Sequence, residues 1–338
     1  MQRRFFVARV EERLYRDAPF LNNRITQQLG EFYGAGLGDM IAAFGQAARQ
    51  EPPAAYIFQL GHCGSTLISR ALGSAPEVLS LREPLLLKTL SGLERRIRGP
   101  LSWLSPADYE RLEHITLSAL ERRFRPDQLP VVKVTSTGTN LLPRVMGSHG
   151  SRLALLLVQS LEAALAGQLR HQHRSSHDLL TQAPVRIEDW HLLTGKTSLR
   201  LYDADFPTIA VISWLTNIHA FMRALSNYPG RVHLLNFTRF LEDPNAHLEH
   251  IAGFIGRADS VGSILESYRS LSREYSKSPG KPFSAADRLR VLTEAGKAHA
   301  GQVASGLALA EQLLDEEASL AGLRRFIGQH EIAIRGLQ

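Results

Sequence analysis

Five short apolar runs punctuate the chain, and each leads into a polar turn or a stretch of helical spacing. They are Ala55–Leu60, Val78–Leu81, Val131–Thr135, Leu153–Val158 and Val232–Phe237. Runs of four to six residues with little polar alternation predict strands covered on both faces, since a half-exposed strand would alternate. Helical spacing is predicted over Thr66–Leu72, in two helices between about 85 and 124, and over Ser160–Gln168, Pro207–Asn227 and Pro244–Ile255. The second helix of the 85–124 stretch opens near Ser105-Pro106, with proline in its first turn. Gly256 is placed to end the helix before it. Residues 1–53 read as a helical N-terminal extension, broken by Gly30, Gly34, Gly36 and Gly38 and closed by Pro52-Pro53. Residues 171–206 are polar and read as an irregular insertion or lid, within a main domain spanning 54–258. From 259 to 338 the pattern is helical, apart from a loop at Ser276–Ser284, and is expected to pack on the same domain.

Apolar strands alternating with helices describe an α/β fold, a three-layer parallel sheet with helices on both faces. In such sheets ligands sit beyond the carboxyl ends of the strands. Every polar cluster of interest falls at such an end. Gly61–Thr66 follows the first strand, Arg82-Glu83 the second, Thr135–Thr139 the third and Gln159-Ser160 the fourth.

Composition narrows the picture. With 44% hydrophobic and 21% charged residues, the 338-residue chain is globular and long enough for a sizeable core. The formal charge of +6 suits an anionic ligand. It is spread in patches such as Glu94–Arg98 rather than gathered into a basic tail, so nucleic acid is not the expected partner. A single cysteine, Cys63, excludes an internal disulfide and a multi-cysteine metal site, and suits a reducing compartment. The longest apolar stretches are too short to span a bilayer, and the N-terminus lacks a signal-peptide core. The expectation is a cytoplasmic protein. Thirteen histidines include His171, His173 and His177, but no carboxylate or cysteine is spaced to complete a metal site.

Gly61-His62-Cys63-Gly64-Ser65-Thr66 joins the first strand to its helix. Glycines allow a tight turn, the first-turn amides of the helix point at an anion, and two hydroxyls add donors. The loop lacks the Gly-Lys-Ser/Thr of a Walker A motif. Taken alone, it also reads as an ordinary turn with a Ser/Thr cap. Lys133 stands inside an apolar run, where its ammonium is costly unless it meets water or an anion.

The stretch Gly61–Leu72 followed by Ala75-Pro76-Glu77-Val78 resembles the P-loop sulfotransferases of the bacterial and Golgi type. Their loop reads Pro-Arg/Lys-Ser-Gly-Thr-Thr-Leu. A second similarity lies in Phe240-Leu241-Glu242-Asp243-Pro244 and Phe254-Ile255-Gly256. The resemblance covers roughly residues 54–258. It implies a P-loop-like strand topology and the donor 3′-phosphoadenosine 5′-phosphosulfate. It further implies sulfuryl transfer to a hydroxyl or amine of a small-molecule, carbohydrate or peptide acceptor, with no metal. On this reading Gly61, His62, Cys63, Gly64, Ser65 and Thr66 cradle the 5′-phosphosulfate, His62 holding the place of the basic residue. Glu83 is the general base and Lys133 joins the site.

The match breaks at the 3′-phosphate. The family places an arginine just after the fourth strand and a serine about two turns later, where this chain has Gln159 and Gly167. Glutamine cannot supply a bidentate positive clamp. Three readings stay open. Other cations (Arg170, Arg174, Lys277 or Lys281) hold the donor, or the donor lacks a 3′-phosphate, or the fold is a non-catalytic anion-binding scaffold. An ATP-dependent phosphotransferase is a further alternative, disfavoured by the missing Walker lysine.

Overall fold

The computed structural model describes residues 4–45, 53–97, 99–100, 102–170, 179–275 and 280–336. Strands β1 (Arg4–Ala8) and β2 (Phe32–Gly36) form a small antiparallel sheet. The main sheet is wholly parallel. It contains β3 (Ala55–Gln59), β4 (Val78–Arg82), β5 (Leu129–Lys133), β6 (Leu153–Val158) and β7 (Val232–Asn236), arranged β4-β5-β3-β6-β7. The first strand of the sheet is thus its centre, and crossovers run to both sides, as in P-loop nucleotide-binding folds. All five apolar runs became strands, with β5 starting two residues early so that Lys133 is its last residue.

Alternate residues of each strand feed two separate cores. Tyr56, Phe58, Val132, Leu156 and Val158 pack on one face, against the helices Leu85–Arg96, Pro106–Leu120 and Phe206–Asn227. Ala55, Ile57, Val131, Leu155 and Leu157 pack on the other, against Ser65–Leu72, Pro244–Phe254 and Val261–Leu271. Burying each of these large side chains favours folding by about 1.5–3 kcal/mol. The first core encloses an ion pair. Arg152 Nε and Nη2 donate to the two carboxylate oxygens of Glu121 at 2.7 and 3.0 Å, and the Tyr56 hydroxyl donates to the same carboxylate. Both charges are therefore neutralised inside the core.

Toward the C-terminus, the helix Ala285–Ala298 lies on the helix Leu161–Leu169, and Ala300–Glu316 lies on Phe206–Asn227. Among the described residues no helix is long and apolar enough to cross a membrane.

Two expectations are corrected. The N-terminal extension is not simply helical: the short helix Glu12–Asp17 lies between β1 and β2 in the chain, and Leu37–Gly45 follows β2. The aromatic and β-branched runs Phe5-Phe6-Val7 and Phe32-Tyr33 favour pairing, and Gly34 and Gly36 lie within β2 rather than breaking a helix. The stretch 171–206 is not irregular throughout where it is described, because Ala183–Thr194 is a helix closed by left-handed Gly195 (φ 70°). Its buried positions are Ala183, Arg186, Ile187 and Trp190, a helical stripe with an arginine among its apolar members. That arginine hid the period from a reading by hydrophobicity.

Candidate functional site

The turn after β3 is built by three consecutive constraints. Gly61, His62 and Gly64 all adopt left-handed backbone (φ 88°, 54° and 69°). The Gln59 side chain, buried at the end of β3, accepts the Gly61 amide at 2.6 Å and donates to the Val134 carbonyl at 3.4 Å. Gly64 abuts the Phe237 ring so closely that a Cβ there would stand 1.9 Å from a ring carbon. The helix then starts at Ser65, and its first-turn amides have no partner within the helix. Those amides and the helix dipole give this end of the segment a positive character.

The turn forms one wall of a cavity of about 370 Å³. Gly61, His62, Cys63, Gly64, Ser65 and Thr66 all line it, together with Glu83, Lys133 and Gly167. Nine of the residues singled out in the sequence therefore meet in one place, although up to 106 positions separate them.

Glu83 and Lys133 face this cavity from neighbouring strand ends. Lys133 is only 1% exposed, and its ammonium is paired with the Glu83 carboxylate. The ring of Phe20, from the N-terminal extension, lies 5.8 Å from the same ammonium. Glu83 takes a left-handed conformation (φ 53°), fixed by its amide donating to the Lys133 carbonyl at 2.8 Å. Such a conformation is strained for a side-chain-bearing residue. Two of the three non-glycine residues with this geometry among those described, His62 and Glu83, are cavity residues.

Arg82 does not join them. Its guanidinium donates to the backbone carbonyls of Tyr15, Arg16 and Ala18 at 2.6–3.0 Å. Burial lowers its pKa to about 10. It ties the N-terminal extension to the edge strand and is not a ligand group.

The side of the cavity next to β6 departs from expectation. Gln159 is not on the wall. It is turned beneath the loop, where its Nε2 donates to the Gly61 carbonyl at 2.8 Å and its Oε1 accepts from Arg288 Nη2 at 2.9 Å. Arg288, from the helix Ala285–Ala298, does line the cavity, with its guanidinium carbon 5.0 Å from the centre of the Phe237 ring. Burial, with the charge of Arg170 second among the lowering influences, depresses its pKa. Gly167 brings the helix Leu161–Leu169 against the loop, a Cβ there meeting His62 Cβ at 3.4 Å.

Arg170 also lines this side. It lies 5.7 Å from the rings of both Tyr275 and Phe283 and donates to the Tyr275 hydroxyl at 3.4 Å. The two arms carrying these rings are joined by the Tyr275 amide to the Lys281 carbonyl (2.6 Å) and the Phe283 amide to the Arg273 carbonyl (2.9 Å). An Arg70–Glu274 ion pair at 3.1 Å ties them to the loop helix. Lys281 is exposed and off the cavity wall. Lys277 and Arg174 lie outside the described residues, as do His171, His173 and His177. Among the described residues, no group of three or more metal-binding side chains is gathered.

Cys63 is fully buried, and desolvation raises its pKa, so the thiol stays protonated near neutrality. It serves packing, its Sγ lying 3.7 Å from the Leu157 carbonyl. The native protein is accordingly expected to resist iodoacetamide at pH 7.5 and to be alkylated once unfolded in guanidinium. Rapid labelling of the native state would show an accessible thiolate instead.

Sequence reasoning missed Gln59, Arg288 and Arg186. Gln59 stands within an apolar run, and a lone amide in such a run is itself a signal of a built polar contact. Arg288 lies 129 residues beyond Gln159, and only the packing of the C-terminal helix brings the two together.

No protein-family model matches the sequence, and no curated protein matches it either. Among solved structures, it is similar to a sulfotransferase from Mycobacterium tuberculosis, at 14% identity over 78% of this chain and 81% of that one (TM-score 0.46). It is also similar to a Mycobacterium avium sulfotransferase, at 9% identity over the same shares (TM-score 0.43). A sulfotransferase domain of the Synechococcus PCC 7002 olefin synthase matches at 15% identity over 72% of this chain and 97% of that one (TM-score 0.42).

Proposed function

We propose that this protein is a sulfotransferase that moves a sulfuryl group from 3′-phosphoadenosine 5′-phosphosulfate to a hydroxyl or amine. One observation carries the reading: an anion-binding turn and a carboxylate–ammonium pair, from adjacent strand ends, face a single cavity. A second observation supports the donor. Arg288, positioned by Gln159, supplies a guanidinium on the side where the resemblance calls for a cation at the 3′-phosphate.

The donor brings a sulfur atom already activated by its bond to phosphate. The first-turn amides of Ser65 and Thr66, their hydroxyls and His62 bind the phosphosulfate oxygens and stabilise negative charge on the departing 5′-phosphate. Lys133 holds Glu83 toward the cavity and adds positive charge beside the loop. Glu83 removes the proton of the acceptor as its oxygen or nitrogen bonds to sulfur. The sulfur–oxygen bond to the 5′-phosphate breaks, and 3′-phosphoadenosine 5′-phosphate is released. Arg288 binds the 3′-phosphate.

Calorimetry tests the assignment of Arg288. Arg288→Gln is expected to weaken binding of 3′-phosphoadenosine 5′-phosphate by about 10- to 100-fold, as loss of a charged hydrogen bond does. Binding of adenosine 5′-phosphate, which lacks the 3′-phosphate, is expected to change little. Equal losses for both nucleotides would place Arg288 away from the 3′-phosphate.

A further inference from the structure

Arg186 is a third guanidinium on the cavity wall, beside Arg288 and Arg170, and the chemistry above does not use it. It belongs to the buried stripe of the helix Ala183–Thr194 and is 4% exposed. Nη1 donates to the Ser136 carbonyl at 3.2 Å, and Nη2 reaches the Ser136 hydroxyl only at 3.5 Å. Nε is buried with no hydrogen-bond partner among the described residues. A guanidinium carries five donors, so most of this group's capacity is unspent.

Nor do the described residues give it a counter-ion. The acid nearest in effect, Asp189, is committed to Arg95 through two hydrogen bonds of 2.7 and 2.8 Å. Burial therefore lowers the pKa of Arg186 to about 10, and the Arg95 charge adds to that. A buried charge with unused donors is costly in the empty protein and becomes favourable when an oxyanion fills the place. Arginine is suited to that role because its planar fork matches a carboxylate, phosphate or sulfate in two bonds.

Its place along the sheet separates it from the nucleotide side. Ser136 follows β5, whose last residue is Lys133, whereas Gln159 follows β6, and β3 with the anion-binding turn lies between them. Arg288 and Gly167 thus stand on one side of the turn, and Arg186, Ser136, Lys133 and Glu83 on the other. We propose that Arg186 anchors an anionic group of the acceptor, so that the substrate is an acid carrying a hydroxyl or amine, oriented with its nucleophile toward Glu83. This assignment of substrate class rests on the sulfotransferase reading. The oxyanion site itself does not.

Benzoate and its neutral isostere benzamide serve as probes, followed through the arginine Nε–Hε resonances of protein labelled with ¹⁵N and saturated with 3′-phosphoadenosine 5′-phosphate. Benzoate is expected to shift the Arg186 resonance saturably and to bind about tenfold or more tightly than benzamide, as one added charged contact gives. By calorimetry, Arg186→Lys keeps that preference, Arg186→Gln loses it, and both variants bind the nucleotide as the parent does. Equal binding of the two probes, or no saturable shift with benzoate, overturns the proposal. A benzoate shift seen only without nucleotide also overturns it, because the anion would then belong to the donor. If benzoate binds through Arg186 but the nucleotide does not bind at all, the oxyanion site stands and the sulfotransferase reading falls.

Discussion

Glu83→Gln is expected to lower sulfuryl transfer by about 10²- to 10⁴-fold, the range that a positioned general base supplies. The substitution keeps the shape of the side chain and an oxygen able to accept from Lys133, but it removes the site that receives the acceptor's proton. Nucleotide affinity is expected to stay within a few-fold, because in the proposed arrangement the turn after β3 takes the 5′-phosphate and Arg288 the 3′-phosphate. Some loss of stability accompanies the change, since Lys133 is buried and loses its counter-charge. A thermal melt beside the kinetic measurement separates the two effects. Turnover equal to the parent's, in a folded variant, would remove Glu83 as the base.

The second large effect is expected at Gly64. An alanine there places Cβ 1.9 Å from the Phe237 ring in a backbone conformation of φ 69°. The left-handed conformation costs a non-glycine residue roughly 1–2 kcal/mol, and overpacking a filled position costs typically 1–3 kcal/mol more. Denaturant unfolding is therefore expected to show a loss of about 2–5 kcal/mol, and nucleotide binding should weaken because the turn can no longer close on the start of its helix. Gly61 provides the comparison. Its φ of 88° carries the same backbone penalty, but a Cβ there meets nothing within 4 Å. Gly61→Ala is thus expected to lose only about the backbone component, roughly 1–2 kcal/mol. Equal losses at the two positions would show that Phe237 yields and that the turn is not fixed by that contact.

The sheet was legible because apolar strands alternating with helices admit few arrangements, and because β3, β4, β5, β6 and β7 each form a continuous hydrophobic run. The turn was legible because glycine and hydroxyl residues between a strand and a helix have a direct local reading. Glu83 entered through the family resemblance and Lys133 as a charge inside an apolar run; their pairing comes from the structure, where the ends of β4 and β5 lie at one edge of the parallel sheet.

What escaped was non-local or masked by composition. Gln159 could be seen to be the wrong residue for a phosphate clamp, but not that it would bridge the Gly61 carbonyl and Arg288. That bridge depends on where a helix more than a hundred residues later comes to lie. Arg186 was hidden by its charge, since a buried arginine breaks the pattern by which its helix would be recognised. The β1–β2 pair is masked in the sequence because its glycines also read as helix breakers, whereas the flanking aromatic residues favour strand pairing. The positive-φ geometry of His62 and Glu83 has no signature in residue type, because tertiary contacts impose it.

The central claim, that the turn from Gly61 to Thr66 is the cradle of a phosphosulfate donor, is tested most directly by a crystal structure with 3′-phosphoadenosine 5′-phosphate bound. The account predicts the 5′-phosphate on the amides and hydroxyls of Ser65 and Thr66, with the 3′-phosphate on Arg288. A nucleotide bound elsewhere, or an unfilled cavity at millimolar nucleotide, would contradict it.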